Sequence, residues 1–198
     1  MLFLIGLKLN IIRMNNPKDK IIQVYDDLFD FNYRTDIYDY VKSSFFKIGW
    51  VDTDTPDTVK HEFIHSAYSK EDVDKLGFFE KLKKTPVMNH IENLEHKHTK
   101  VNLSTPSDSN FIHFHPEKLV VLYYVNLNWG NGWHGETLFY DEWGRDIIFA
   151  SSYTPGRIIV FDASIPHTIR PQSIIGPKFR FTLSSFFDYP NKNLNNEN

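Results

Sequence analysis

The chain has 198 residues, room for one hydrophobic core and too few for two comfortable domains. A net charge of −3 gives no basic excess for phosphate contacts, so nucleic acid is not the expected partner; the absence of cysteine excludes disulfide frameworks and thiolate metal sites. Aromatic residues reach 16%, a bias that suits pleated, half-buried surfaces and so a sheet-rich fold.

The opening run MLFLIGLKLNII is short, is interrupted by Lys8 and precedes no small-residue cleavage site. It reads as a first strand, not as a signal peptide or a membrane span, and together with the missing cysteines this gives a cytoplasmic expectation. Translation starting at Met14 is the other reading of this end. IIQVY (21–25) is a short apolar run, after which Asp36, Ile37, Tyr40, Val41 and Phe45 have the spacing of an amphipathic helix. VDTDTPDTVK (51–60) is polar and turn-rich and reads as a loop. HEFIHSAY (61–68) then reads as a strand. Ser69 is placed to cap one helix running through SKEDVDKLGFFEKLKK, with acidic residues in its first turn and lysines at its end. Residues 88–99 are read as a further short helical piece.

From Lys100 onward the texture changes. VNLS, NFIHFH, KLVVLYYVNLNW, ETLFYDE, DIIFASSY, GRIIVFDA, PHTIRPQS and FRFTLSSFFDY follow one another, each short and separated by Gly, Pro, Asn or Asp. That is the pattern of antiparallel sheets, not of βαβ units. The expected fold is α+β: a double-stranded β-helix, or jelly roll, over about 100–189, with supporting helices and strands over about 14–99, all in one domain of 1–198. The tail NKNLNNEN is expected to fray.

Several of the nine histidines lie where a metal could use them. In HFHPE (113–117) an extended backbone projects residues i and i+2 to one face, so His115 and Glu117 can reach one ion. His167 follows in FDASIPHTIRP, at the start of another predicted strand. Two imidazoles and a carboxylate on one face suit Fe(II) and leave positions open. The alternative pairs His113 with His115, giving a three-histidine site with Glu117 behind it. In FRFTLSSFF (179–187), Arg180, Thr182 and Ser184 alternate with Phe181, Leu183 and Ser185. An inward-pointing arginine is costly unless it meets an anion, and its planar fork matches a carboxylate. A surface arginine paired with an acid is the plainer reading of the same spacing.

These elements in order, HPE (115–117), LYYVNLNW (122–129), GETLFYDE (135–142), TPGRIIVFDASIPHTIRPQS (154–173) and FRFTLSSFF, resemble the prolyl-4-hydroxylase-like branch of the 2-oxoglutarate- and Fe(II)-dependent oxygenases. The resemblance implies His115, Glu117 and His167 as iron ligands, although the family's usual carboxylate is aspartate. It implies Arg180 as the clamp for the distal carboxylate of 2-oxoglutarate, helped by Thr182 and by the hydroxyl of Tyr124. Thr137 would line the pocket, with Trp129, Trp133 and His134 near its mouth. The implied cofactors are Fe(II), 2-oxoglutarate and O₂. The implied reaction turns the oxo acid into succinate and CO₂ while a substrate C–H bond is hydroxylated, a peptidyl proline being the first candidate. The expected partner is a protein, peptide or small-molecule substrate, with no membrane, and the segments 51–70 and 127–134 are candidate lids. Two other readings stay open: a cupin-type metalloenzyme that does not use 2-oxoglutarate, and a non-catalytic jelly-roll binding module.

Overall fold

The structure, a computed structural model, describes residues 10–13, 20–50, 63–108 and 110–190. The run before Asn10, the position of Met14, the loop 51–60 and the tail from 191 lie outside the described residues.

Eleven described strands make two antiparallel sheets. The larger contains β1 (Asn10–Arg13), β2 (Ile21–Tyr25), β3 (Lys47–Trp50), β4 (Phe63–Tyr68), β5 (Glu95–Ser104), β6 (Leu119–Tyr124), β9 (Ile158–Asp162) and β11 (Arg180–Asp188). Their order is β1-β2-β9-β6-β11-β5-β4-β3. The smaller holds β7 (Thr137–Tyr140), β8 (Ile147–Ser151) and β10 (His167–Ile169), in the order β10-β7-β8. This is the expected jelly roll.

The helices explain why the central strands read as unbroken apolar runs. β6 and β9 are buried at every position, because helices cover one face of the large sheet and the small sheet covers the other. Alternate residues divide between two cores. Val121, Tyr123, Ile158, Val160, Phe181 and Leu183 pack toward the helices. Val120, Leu122, Tyr124, Ile159, Phe161 and Phe186 pack into the roll. A sheet with no solvent face leaves little alternation of polarity to read in the sequence.

The helix α1 (Phe31–Lys42) forms where expected, capped by Asp30, whose Oδ1 accepts from Tyr33 N at 2.9 Å. It buries Tyr33, Ile37 and Val41, spaced by one turn. Phe45 lies beyond its end and is 93% exposed, so it does not extend the apolar stripe as the spacing predicts. Ser69 caps the next helix reciprocally with Asp72, completing a capping box. The predicted single helix, however, is two: α2 (Lys70–Leu76) and α3 (Phe78–Leu82) meet at Gly77, whose φ of 60° ends one and turns the chain into the next. The short α4 (Met88–Ile91) accounts for part of the helix expected over 88–99. The rest, from Glu95, is β5, where ladders to both β4 and β11 override a sequence with no strong strand signal.

Gly77 adopts a left-handed conformation with open space around its Cα. Gly77→Ala should therefore cost about 1–2 kcal/mol through backbone strain alone. Urea unfolding should show a lower midpoint with an unchanged slope; a midpoint at the wild-type value would contradict this account of the joint.

Candidate functional site

The β5–β11 register builds one wall of a cavity inside the roll. Arg180 pairs with Ser104, Thr182 with Asn102 and Ser184 with Lys100, so two polar columns share the inner face. The expected alternation of Arg180 and Thr182 with apolar residues facing the helices is what is observed. His113, His115 and His167 form the opposite side of the same narrow slot, whose volume is about 30 Å³.

Backbone pairing brings the three histidines together. His113 N donates to His167 O at 3.0 Å and His167 N donates back to His113 O at 2.8 Å, a single closed bridge between two segments distant in sequence. His115 N donates to Ala163 O at 2.9 Å, which keeps the segment extended and returns the side chain to the same face two residues on. One ligand atom from each ring lies within 4.8 Å of the others, and all three residues are buried. His113 Nδ1 donates to Phe111 O at 3.1 Å and His167 Nδ1 donates to Ile165 O at 2.8 Å. A carbonyl can only accept, so in both neutral rings Nε2 carries the lone pair. This donor set fits a divalent transition ion, Fe(II) among them.

Glu117 is not in that group. The chain bends at Pro116–Lys118, so the extended run that would carry 113, 115 and 117 along one face stops at His115. Glu117 instead sets Oε1 3.7 Å from His98 Nδ1, and His98 stacks on Phe186 at 4.3 Å. The geometry therefore assembles the three-histidine alternative, not the preferred pair of His115 and Glu117.

Arg180 is 1% exposed. Its Nε donates to Gly135 O at 3.0 Å, while Nη1 and Nη2 are buried with no hydrogen-bond partner. The guanidinium lies over the rings of Tyr153, at 4.8 Å, and Tyr124, at 5.5 Å, and these two rings stack on each other. Burial depresses the guanidinium's pKa, and Tyr124, Tyr153 and Glu136 oppose that shift. The side chain still carries its charge. A buried cation with two unmet donors has the chemistry to receive an anion. Thr182 Oγ1, also buried and unpartnered, lies on the same wall.

The remaining predicted residues divide between wall, support and rim. Thr137 lines the cavity. Tyr124 does not; its hydroxyl donates to Thr137 Oγ1 at 2.8 Å, and its ring supports Arg180 from behind. Trp129 packs on Tyr153 at 4.1 Å and donates Nε1 to His134 O at 2.8 Å. Trp133 and His134 are half-buried outside the cavity, with His134 Nε2 3.2 Å from Arg170. Gly135 has φ 85°, and a Cβ there would meet Trp129 at 2.8 Å and Arg180 at 3.4 Å. The glycine of GET is thus required by the packing of the clamp. Tyr153, which sequence reasoning missed, accepts from Asn126 N and touches Phe181 O and Asn126 Oδ1 through its hydroxyl, tying the loop after β8 to the start of β11. Nothing in ASSY distinguishes it from a core tyrosine. Lys100 and Asn102 were missed because their strand was read only in part.

No protein-family model and no curated protein matches the sequence. Solved structures do match. A prolyl hydroxylase from Trichoplax adhaerens, in complex with a hypoxia inducible factor oxygen degradation domain peptide fragment, aligns with a TM-score of 0.62 at 14% identity, over 84% of this chain and 83% of that one. A Pseudomonas putida prolyl-4-hydroxylase aligns with a TM-score of 0.62 at 13% identity, over 84% and 92%. HygX from Streptomyces hygroscopicus, with nickel and 2-oxoglutarate bound, aligns with a TM-score of 0.60 at 8% identity, over 85% and 82%. At such identities the likeness is one of fold.

Arg180 should destabilise the protein when no anion is bound. Arg180→Met removes the buried charge while keeping apolar contact with the tyrosine rings, and should stabilise the unliganded protein by about 1 kcal/mol or more. A thermal melt in anion-poor buffer reads this directly; a lower melting temperature for the variant would count against an unpaired guanidinium.

Proposed function

We propose that this chain is a non-haem Fe(II) oxygenase that uses 2-oxoglutarate and O₂ to hydroxylate a substrate C–H bond. The observation that carries this reading is the meeting, in one buried slot, of three imidazoles within 4.8 Å and a guanidinium whose Nη1 and Nη2 are unpaired. A metal site alone would not need the arginine, and an anion site alone would not need the histidines.

In this reading His113, His115 and His167 hold the metal, with Nε2 of His113 and of His167 set by the backbone carbonyls behind those two rings. Arg180 takes the distal carboxylate of the oxo acid through its two outer nitrogens, with Thr182 Oγ1 adding a hydrogen bond. Tyr124 and Tyr153 stop the guanidinium from turning away. When bound, Fe(II) and 2-oxoglutarate supply the oxidising chemistry with O₂, releasing succinate and CO₂. The protein's own part is to orient the acid, exclude water with Val120, Leu122, Phe161 and Phe186, and leave an approach for the substrate. A larger substrate would lie at the mouth of the slot. Peptidyl proline is the first substrate to try, because prolyl hydroxylases are among the structures sharing this fold. The whole of 1–198 is read as one catalytic domain. Among the described residues no helix is long and apolar enough to cross a membrane.

A metalloenzyme of the same roll that does not use 2-oxoglutarate is the second reading, favoured by a donor group that among the described residues is made of three histidines. Arg180 separates the two. Under anaerobic conditions, Fe(II) and 2-oxoglutarate together should give the weak visible charge-transfer band of a chelate, lost in His167→Ala and in Arg180→Ala. Iron binding without any band on adding the oxo acid would transfer support to the second reading. Binding of neither would leave a non-catalytic module.

A further inference from the structure

The two faces of β11 meet different surroundings. Arg180, Thr182 and Ser184 line the slot, whereas Phe181, with Leu103 of β5, lies on the helix side of the sheet. There the end of α1 and the segment 177–179 enclose a second cavity, of about 460 Å³. Its walls are Tyr38, Phe46 and Phe179, and each ring centroid lies 5.8 to 6.3 Å from that of Phe181, which forms the floor. Asn126 fixes wall and floor together: Nδ2 donates to Phe179 O at 2.9 Å, and Oδ1 accepts from Phe181 N at 2.8 Å. The cleft is thus held by the frame of the fold.

Two lysines stand over its walls. Lys42 Nζ is 5.8 Å from the centre of the Tyr38 ring, and Lys178 Nζ is 5.1 Å from that of Phe179. Lys75, Lys83, Lys97 and Lys118 all have carboxylate partners; among the described residues Lys42 and Lys178 have none, and no described Asp or Glu lines the cleft. An aromatic trough beneath two ammonium groups favours an apolar group that brings negative charge with it. Both wall segments also carry uncovered apolar side chains. Phe45, next to Phe46, is 93% exposed, and Ile174 and Ile175, just before Pro177, are 86% and 72% exposed. That is more apolar surface than a small molecule would cover, and it suits a chain.

We propose that this cleft docks a short acidic segment of a partner protein, with an apolar side chain seated on Phe181 and flanking carboxylates on Lys42 and Lys178. The net charge of −3 would otherwise repel such a segment, so these two ammonium groups supply the attraction. The site lies on the far side of β11 from the slot and stands apart from the function proposed above.

The test is calorimetric titration of the full chain with an unlabelled octapeptide that carries Leu-Phe between two aspartates. Binding should weaken about tenfold when the aspartates become asparagines, and about tenfold when Leu-Phe becomes Ser-Ser. Lys42→Glu and Lys178→Glu should each weaken it about fivefold, and Phe179→Ser about tenfold. All three positions are exposed, and a melting curve for each variant checks that it is folded. Added salt should weaken the aspartate peptide and leave the asparagine peptide unchanged. No binding to wild type, an asparagine peptide that binds equally well, or affinity undiminished in the folded double variant of Lys42→Glu and Lys178→Glu overturns the proposal. Equal binding of N-acetylphenylalanine also overturns it, by making the cleft a small-molecule site. A dimer in light scattering that Phe179→Ser abolishes would give the cleft to a second copy of this chain and overturn it too.

Discussion

The constraint on which this structure turns is that the central strands of its large sheet have no face in water. Helices cover one side and the small sheet covers the other, so the central strands β6, β9 and β11 are buried almost throughout. On such strands an apolar side chain needs no explanation and a polar one does. Arg180, Thr182 and Ser184 are therefore the informative residues of β11. All three are placed on the inner face by a period of two, and Arg180 and Thr182 leave unmet polar atoms that a folded chain would not keep without a use.

The aromatic residues serve that arrangement as much as they fill the core. Tyr124, Tyr153 and Trp129 form a stack behind the guanidinium, and Gly135 lets the stack and the arginine approach one backbone. The faces of the rings are electron-rich, so they lower the cost of burying a cation without neutralising it. An aspartate in their place would have paired the arginine permanently and closed the site to an outside anion. The support is thus matched to a charge that must stay unsatisfied until something binds.

Much of this was legible in the amino-acid sequence. The roll, the helix before it, the Ser69 cap and the inward face of β11 all follow from spacing and turn chemistry. Four things were not. The break at Gly77 is invisible to apolar periodicity, because both short helices keep the same face. The strand β5 is polar and histidine-rich at its start, and only its ladders make it a strand. The choice between His113 and Glu117 depended on whether the backbone stays extended through Pro116, and alternation cannot report where an extended segment ends. Tyr153 was hidden for a plainer reason: its role comes from a chain distant in sequence.

The reciprocal bridge between His113 and His167 has a consequence for how the centre comes into being. All three of its histidines are fastened through main-chain hydrogen bonds, and two of the rings are oriented by carbonyls of their own segments. An incoming ion then has little chain entropy to remove, unlike in small metal-dependent domains whose ligands gather only around the ion. With a metal held there as proposed, folding and metallation would be separable events. A chain made while the metal is scarce would wait in its final shape, and an ion once lost could be replaced without the roll having to open.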